Sequence, residues 1–225
     1  GGQGVRRFKR KPRTFDIQVR DVVIHITART DLDEESRAAA LSFWEQLEAY
    51  TLRNPEIRTS KRPIDVPPDA PAIVQEMAQV GRSAGVGPMY SFLGALADHV
   101  GRFLVRSGGE LTVTCGGDYF IVAKKRQKLT VLRRPNGASI AVVVPPRKEG
   151  VGISTNQGGR VDGIAVLANS CMLADAAAAG VQAILPKPDG FRTALDYLKK
   201  VPGIYGAVVV LGERIGMMGG VEIAA

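Results

Sequence analysis

The sequence predicts an α+β fold with mixed or antiparallel sheets and flanking helices. Three observations carry that expectation. Helix-patterned segments gather before residue 105, strand-patterned segments dominate after residue 110, and glycine-rich turn residues punctuate the second half. No internal repeat of fixed period interrupts this order. The 225 residues read as a basic N-terminal arm over 1–13 followed by one domain over 14–225.

Taken in order, the β-branched stretches 15–19 and 22–27 predict two short strands joined at Arg20-Asp21. A helix follows, capped by Asp31 or Asp33, with Glu34 and Glu35 near the positive end of its dipole. Leu41, Trp44, Leu47 and Tyr50 or Thr51 mark its buried face at three- and four-residue spacing, and Asn54-Pro55 ends it. Pro63, Pro67 and Pro68 make the next stretch an extended connection; Asp69 then caps a second helix, with Pro71 in its first turn, running to about Arg82. After Gly85-Val86-Gly87-Pro88-Met89 a helix carries Tyr90, Leu93, Leu96, Val100 and Leu104, and Gly108-Gly109 stops it.

In the second half, 111–114 and 119–123 are strands around Gly116-Gly117-Asp118. The segments 128–133 and 138–144 flank the hairpin signal Pro135-Asn136-Gly137. Strands are expected at 151–155 and 163–168, with Asn156-Gln157-Gly158-Gly159-Arg160 as the loop between them. Helices follow at 170–185 and 191–200, and strands at 207–211 and 221–223 close the chain around a glycine-rich loop.

Composition narrows the function classes. Hydrophobic content of 45% suits a chain that buries a core. No apolar run reaches the roughly 18 residues a membrane span needs, and no apolar segment follows the first basic residues as a secretory signal would. Cys115 and Cys171 are too few for a disulfide framework, so a cytoplasmic location is expected. Arg6, Arg7, Lys9, Arg10, Lys11 and Arg13 contribute six of the eight net positive charges, leaving a nearly balanced body at +2. Without aromatic-rich strands beside it, that arm reads as a solvated tail, with contact to RNA, DNA or an anionic partner as the alternative, and nucleic-acid binding is not expected.

The chemistry that the residues could carry lies in three places. In Gly85-Val86-Gly87-Pro88-Met89, two glycines precede a proline at a helix start. They either relieve backbone angles or present free N–H groups to an anionic ligand. In Cys115-Gly116-Gly117-Asp118, the paired glycines let a ligand approach the backbone, unless they merely turn a hairpin. Asp118 could then take a ribose hydroxyl, a ring N–H or a metal, and Cys115 is either a core residue or a reactive thiol. Asp175 is the one charge in Leu173-Ala174-Asp175-Ala176-Ala177-Ala178-Ala179-Gly180. Burying it demands a partner, either the helix dipole, a cation or a metal. His25 and His99 read as structural, and two histidines cannot supply a histidine-rich zinc site.

Taken together with Thr30-Asp31-Leu32, Gly152-Ile153-Ser154-Thr155 and the closing glycines Gly212, Gly216, Gly219 and Gly220, these motifs in this order resemble the ApbE-like superfamily, in its short cytoplasmic branch. That family includes the FAD:protein FMN transferases, which bind FAD, hold magnesium and move FMN onto a threonine of a flavoprotein. The resemblance implies a flavin site, FAD or FMN, lined by Gly85, Val86, Gly87, Pro88, Met89, Gly116, Gly117, Asp118, Ser154 and Thr155. It makes Asp175 the Mg2+ ligand and a catalytic candidate, with Cys115 as the other candidate. The family's helix carries a threonine four residues after that aspartate, on the same face; here the position is Ala179, without an oxygen. Cys115 stands where the branch more often has asparagine. The branch's longer Gly/Ser loop is represented only by 156–160, either shortened or lacking residues in this sequence. The implied protein partner is a flavoprotein. Relatives tied to sulfide incorporation into homocysteine imply, alternatively, a ferredoxin-like partner with Cys115 as sulfur carrier, and a non-catalytic scaffold or a homo-oligomer is also compatible.

Overall fold

The computed structural model describes residues 11–134, 137–221 and 223–224. Most of the predicted basic arm, and Pro135 and Asn136 of the predicted hairpin turn, lie outside them. Eleven strands and six helices are present among the described residues. The strands are β1 (Arg13–Val19), β2 (Val22–Ala28), β3 (Leu111–Cys115), β4 (Asp118–Val122), β5 (Gln127–Arg133) and β6 (Ser139–Val144). They continue with β7 (Val151–Gly158), β8 (Val161–Ala168), β9 (Ile204–Leu211), β10 (Arg214–Gly219) and β11 (Ile223–Ala224). The helices are α1 (Asp33–Arg53), α2 (Glu56–Thr59), α3 (Ala72–Ala84), α4 (Phe92–Leu104), α5 (Cys171–Ile184) and α6 (Gly190–Lys200).

Eight strands form one antiparallel sheet in the order β1-β2-β3-β4-β7-β8-β9-β10, and β11-β6-β5 form a second. The α+β class expected from the sequence is the one observed. Alternation along the central strands explains the layering, since successive side chains point to opposite faces. On β8, Ile164, Val166 and Ala168 join α5 and α6, while Ala165 and Leu167 face the small sheet with Val142 and Val144. At the other end, Ile24, Ile26, Val113 and Phe120 pack under α1, α3 and α4 through Leu47, Met77 and Leu96.

Several expected details are corrected. Helix α1 begins after Leu32, and no side chain caps it; Asp33 is its first residue and Asp31 accepts the Asp33 N–H, at 3.3 Å. Its buried face runs through Ala39, Ala40, Leu47 and Thr51, whereas Leu41 is 50% exposed. Pro71, not Asp69, precedes the first residue of α3. The helix expected through Tyr90 is two pieces, a 3₁₀ turn over Pro88–Ser91 and then α4. The expected loop at 156–160 is mostly strand, with β7 reaching Gly158 and β8 resuming at Val161. The closing glycine-rich loop contains β10, paired along β9.

Candidate functional site

Asp118 opens β4, immediately after the Gly116-Gly117 turn, and its pairing partner across the sheet is Ser154 of β7. Both are on the helix side of the sheet and nearly fully buried, at 4% and 3% exposed. The turn is held to β7, because the Gly117 carbonyl accepts the backbone N–H of Thr155 at 2.8 Å and its hydroxyl at 2.9 Å. A Cβ at position 117 would lie 2.3 Å from the Thr155 carbonyl oxygen, so only glycine permits this approach. The close contact the paired glycines make is therefore with β7 itself. Gly116, at φ +62°, turns the chain and does not line the cleft.

Helix α5 lies against this part of the sheet and delivers Asp175. Ser170 caps it, its hydroxyl accepting the Leu173 N–H at 3.2 Å. The first turn holds no acidic residue, so Asp175 is not the helix-terminal acid that one reading of the sequence allowed. Its partners come from elsewhere: the Gly94 N–H at the start of α4, at 3.1 Å, and the carboxyl of Asp118. The exchange between the two helices is reciprocal. Asp98 of α4, 1% exposed, accepts the N–H groups of Cys171 and Met172 at 2.8 Å each, where α5 begins and its donors lack intrahelical partners.

Burial dominates the electrostatics of these acids. It raises Asp118 to about 6, against the hydrogen bonds from Ser154 and Asp175 that favour its charged form. It also holds Asp175 well above the ordinary carboxylate range, reinforced by the charge of Asp118. Asp98 is raised to about 6 by the same burial, opposed by its two backbone donors. Cys115 is completely enclosed, and burial together with Asp118 and Asp175 pushes its thiol up to about 12. A thiol so placed holds its proton near neutrality and packs within the core.

Gly117, Asp118, Ser154, Thr155 and Asp175 border one cleft of about 450 Å³, which Tyr90, Leu93 and Ala179 complete. A second concavity of about 600 Å³ adjoins it, sharing Tyr90, Asn156, Ala179 and Gln182 and reaching Gly85, Val86, Lys61 and Arg160. Gly87, Pro88 and Met89 of the first glycine motif border neither concavity. The Val86 N–H bonds the Gly81 carbonyl at 2.9 Å and the Gly87 N–H bonds that of Lys61 at 3.0 Å, so neither is free for an anion. Pro88 is buried and Met89 packs on the core beneath α4. The sequence reading missed Lys61, Arg160, Gln182 and Asp98. Of these, only Asp98 left a local signal, an acid amid the apolar run of α4.

The chain and its fold have known counterparts. A family model described as AbpE bacteria matches residues 6–212. The chain belongs to this family. A UPF0280 protein of Methanococcus aeolicus is 32% identical over 191 residues, covering 77% of this chain and 76% of the relative. A UPF0280 protein of Methanocella arvoryzae is 26% identical over 222 residues, covering 94% and 90%. Among solved structures, the ApbE protein of Thermotoga maritima superimposes with a TM-score of 0.60 at 11% identity, covering 92% of this chain and 96% of that one. The apo flavinyl transferase ApbE of Pseudomonas stutzeri gives 0.56 at 12% identity, covering 95% and 96%. At such identities the AbpE bacteria family shares the fold of these proteins. No helix among the described residues is long and apolar enough to cross a membrane.

Proposed function

We propose that this chain binds a flavin nucleotide in the paired concavities between β4, β7 and α5, and that it does not transfer FMN onto a threonine. One observation carries the reading: Asp118, Ser154, Thr155 and Asp175, from three separate elements, border a single cleft. The cleft has a polarity suited to an elongated nucleotide. Its inner end offers two carboxyl groups for ligand hydroxyl or N–H donors, and its outer end carries Lys61 and Arg160 for phosphate oxygens. Between them Gln182 borders both concavities. Its Oε1 accepts the Arg160 N–H at 3.3 Å.

The donor chemistry at the inner end also suits magnesium. Asp118, Asp175 and Ser154 present hard oxygens, and two neighbouring buried carboxylates require either a proton or a cation. These residues would hold the ion, which supplies positive charge that lets an anionic ligand approach the acids. Ala179 borders the cleft one turn beyond Asp175 and adds no oxygen, so the site is poorer in ligands than the transferase pattern. That deficit separates binding from transfer here. Incubating the protein with FAD, Mg2+ and a threonine-containing flavoprotein should give bound flavin without covalently flavinylated target; efficient magnesium-dependent flavinylation would overturn this assignment. The sulfur-carrier alternative needs an accessible thiol, and Cys115 and Cys171 are both completely buried.

A further inference from the structure

Strand β4 enters the candidate cleft at Asp118 and leaves at Val122, where a different concavity of about 570 Å³ opens. Four residues of strand separate the two places by about 13 Å. Val122, Ala123 and Pro146 contribute its apolar surface, and Lys124, Arg147 and Lys148 its charge. Lys125, Arg126 and Lys128 follow Lys124 along the chain, so 124–128 and 147–148 bring six cations to one end of the sheet. The body of the chain is nearly balanced, and this concentration is therefore a local positive field and not a share of a general excess.

Acids nearby engage part of it. Glu110 pairs with Arg29 at 3.2 Å and accepts the Lys124 backbone N–H at 3.4 Å, and Glu149, itself 73% exposed, pairs with Arg147 at 3.5 Å. The side chains of Lys124 and Lys148 have no acidic partner among the described residues. Arg147 is held in place by Asn169, whose Oδ1 accepts its guanidinium at 2.8 Å, so one cation of the rim is preorganised.

We infer that this concavity docks an acidic segment of a partner polypeptide, with an apolar side chain on Val122, Ala123 and Pro146 and carboxylates among Lys124, Arg147 and Lys148. Charge complementarity selects the sign of the partner, and the aliphatic floor selects its kind. A single-stranded nucleic acid would want aromatic rings for its bases, and none lines this concavity. The site is independent of the flavin reading, because it shares no lining residue with that cleft.

The test is fluorescence anisotropy with the full chain and a labelled peptide of repeating Glu and Leu. A Lys-Leu peptide and a single-stranded oligonucleotide of similar length serve as competitors. The acidic peptide should bind, weaken with added salt, and lose roughly tenfold or more in affinity in the Lys124→Glu, Lys148→Glu double variant. Both positions are exposed, and circular dichroism should show an unchanged fold. Flavin titration of the same variant should match the parent, which separates failure of this inference from failure of the flavin reading. Absent binding, binding that survives the charge reversal (and so resides on the basic arm), or tighter binding of the oligonucleotide would each overturn it.

Discussion

The carboxyl groups of Asp118 and Asp175 meet in one cleft, one from the first residue of β4 and the other from the second turn of α5. Neither element alone creates a site; their contact does. Ser154 steadies the sheet side of the pair, the Gly94 N–H steadies the helix side, and burial makes at least one proton or cation part of the folded structure.

That contact gives stability a defined pH dependence. Both acids have folded-state pKa values raised above the unfolded ones, so the native state binds more protons over the intervening range. Their contribution is fully present below about 4. It declines as pH rises towards about 6 for Asp118, and further for Asp175. Asp175→Asn should flatten this decline and make the variant more stable than the parent at pH 8. A residual fall should remain from Asp98, raised by its own burial. Urea midpoints at pH 5 and pH 8 measure both effects; parallel profiles for parent and variant would show that the pair does not act this way.

Asp98 is the anchor of α5, since its two oxygens satisfy the Cys171 and Met172 N–H groups inside the core. Asp98→Ala leaves those donors buried without acceptors and should cost about 2–4 kcal/mol. Asp98→Asn keeps one acceptor oxygen and should lose less. Thermal denaturation distinguishes the two, and equal midpoints for Asp98→Ala and the parent would remove the anchor role.

Ala179 is where an oxygen can be returned to the cleft. Ala179→Thr places a hydroxyl one helical turn from Asp175, on the same face. Isothermal titration with Mg2+ should show tighter binding in the variant, by roughly tenfold at pH 8. Affinity should weaken towards pH 5 as protons compete for the acids. Unchanged Mg2+ affinity would mean that this helix face does not meet the ion.

Much of this architecture could be read from residue order, and the parts that could not have physical reasons. The strands around Gly116-Gly117 follow from β-branched residues broken by turn glycines, and Asp175 was conspicuous as a lone charge among alanines. Strand β10 was hidden because Gly216 and Gly219 read as loop, while its strand character comes from pairing with β9. Periodicity chose a face for α1 but could not tell that Leu41 is half exposed beside β1 while Ala39 is buried. Lys61 and Arg160 reach one concavity from segments a hundred residues apart, a convergence that only the tertiary structure supplies. Gly87 looked like an anion cradle, yet a Cβ there would sit on the Ser60 carbonyl; the glycine serves chain packing.

The most direct test of the central claim is the flavin content of the protein itself. Absorbance spectra and mass spectrometry of small molecules released from the purified chain, before and after incubation with FAD, report it. The account predicts a flavin nucleotide approaching one equivalent per chain, with binding sharply reduced in an Asp118→Ala, Asp175→Ala double variant that remains folded. A protein that stays free of flavin after saturation with FAD, or a double variant that binds it as well as the parent, would contradict the assignment of this cleft.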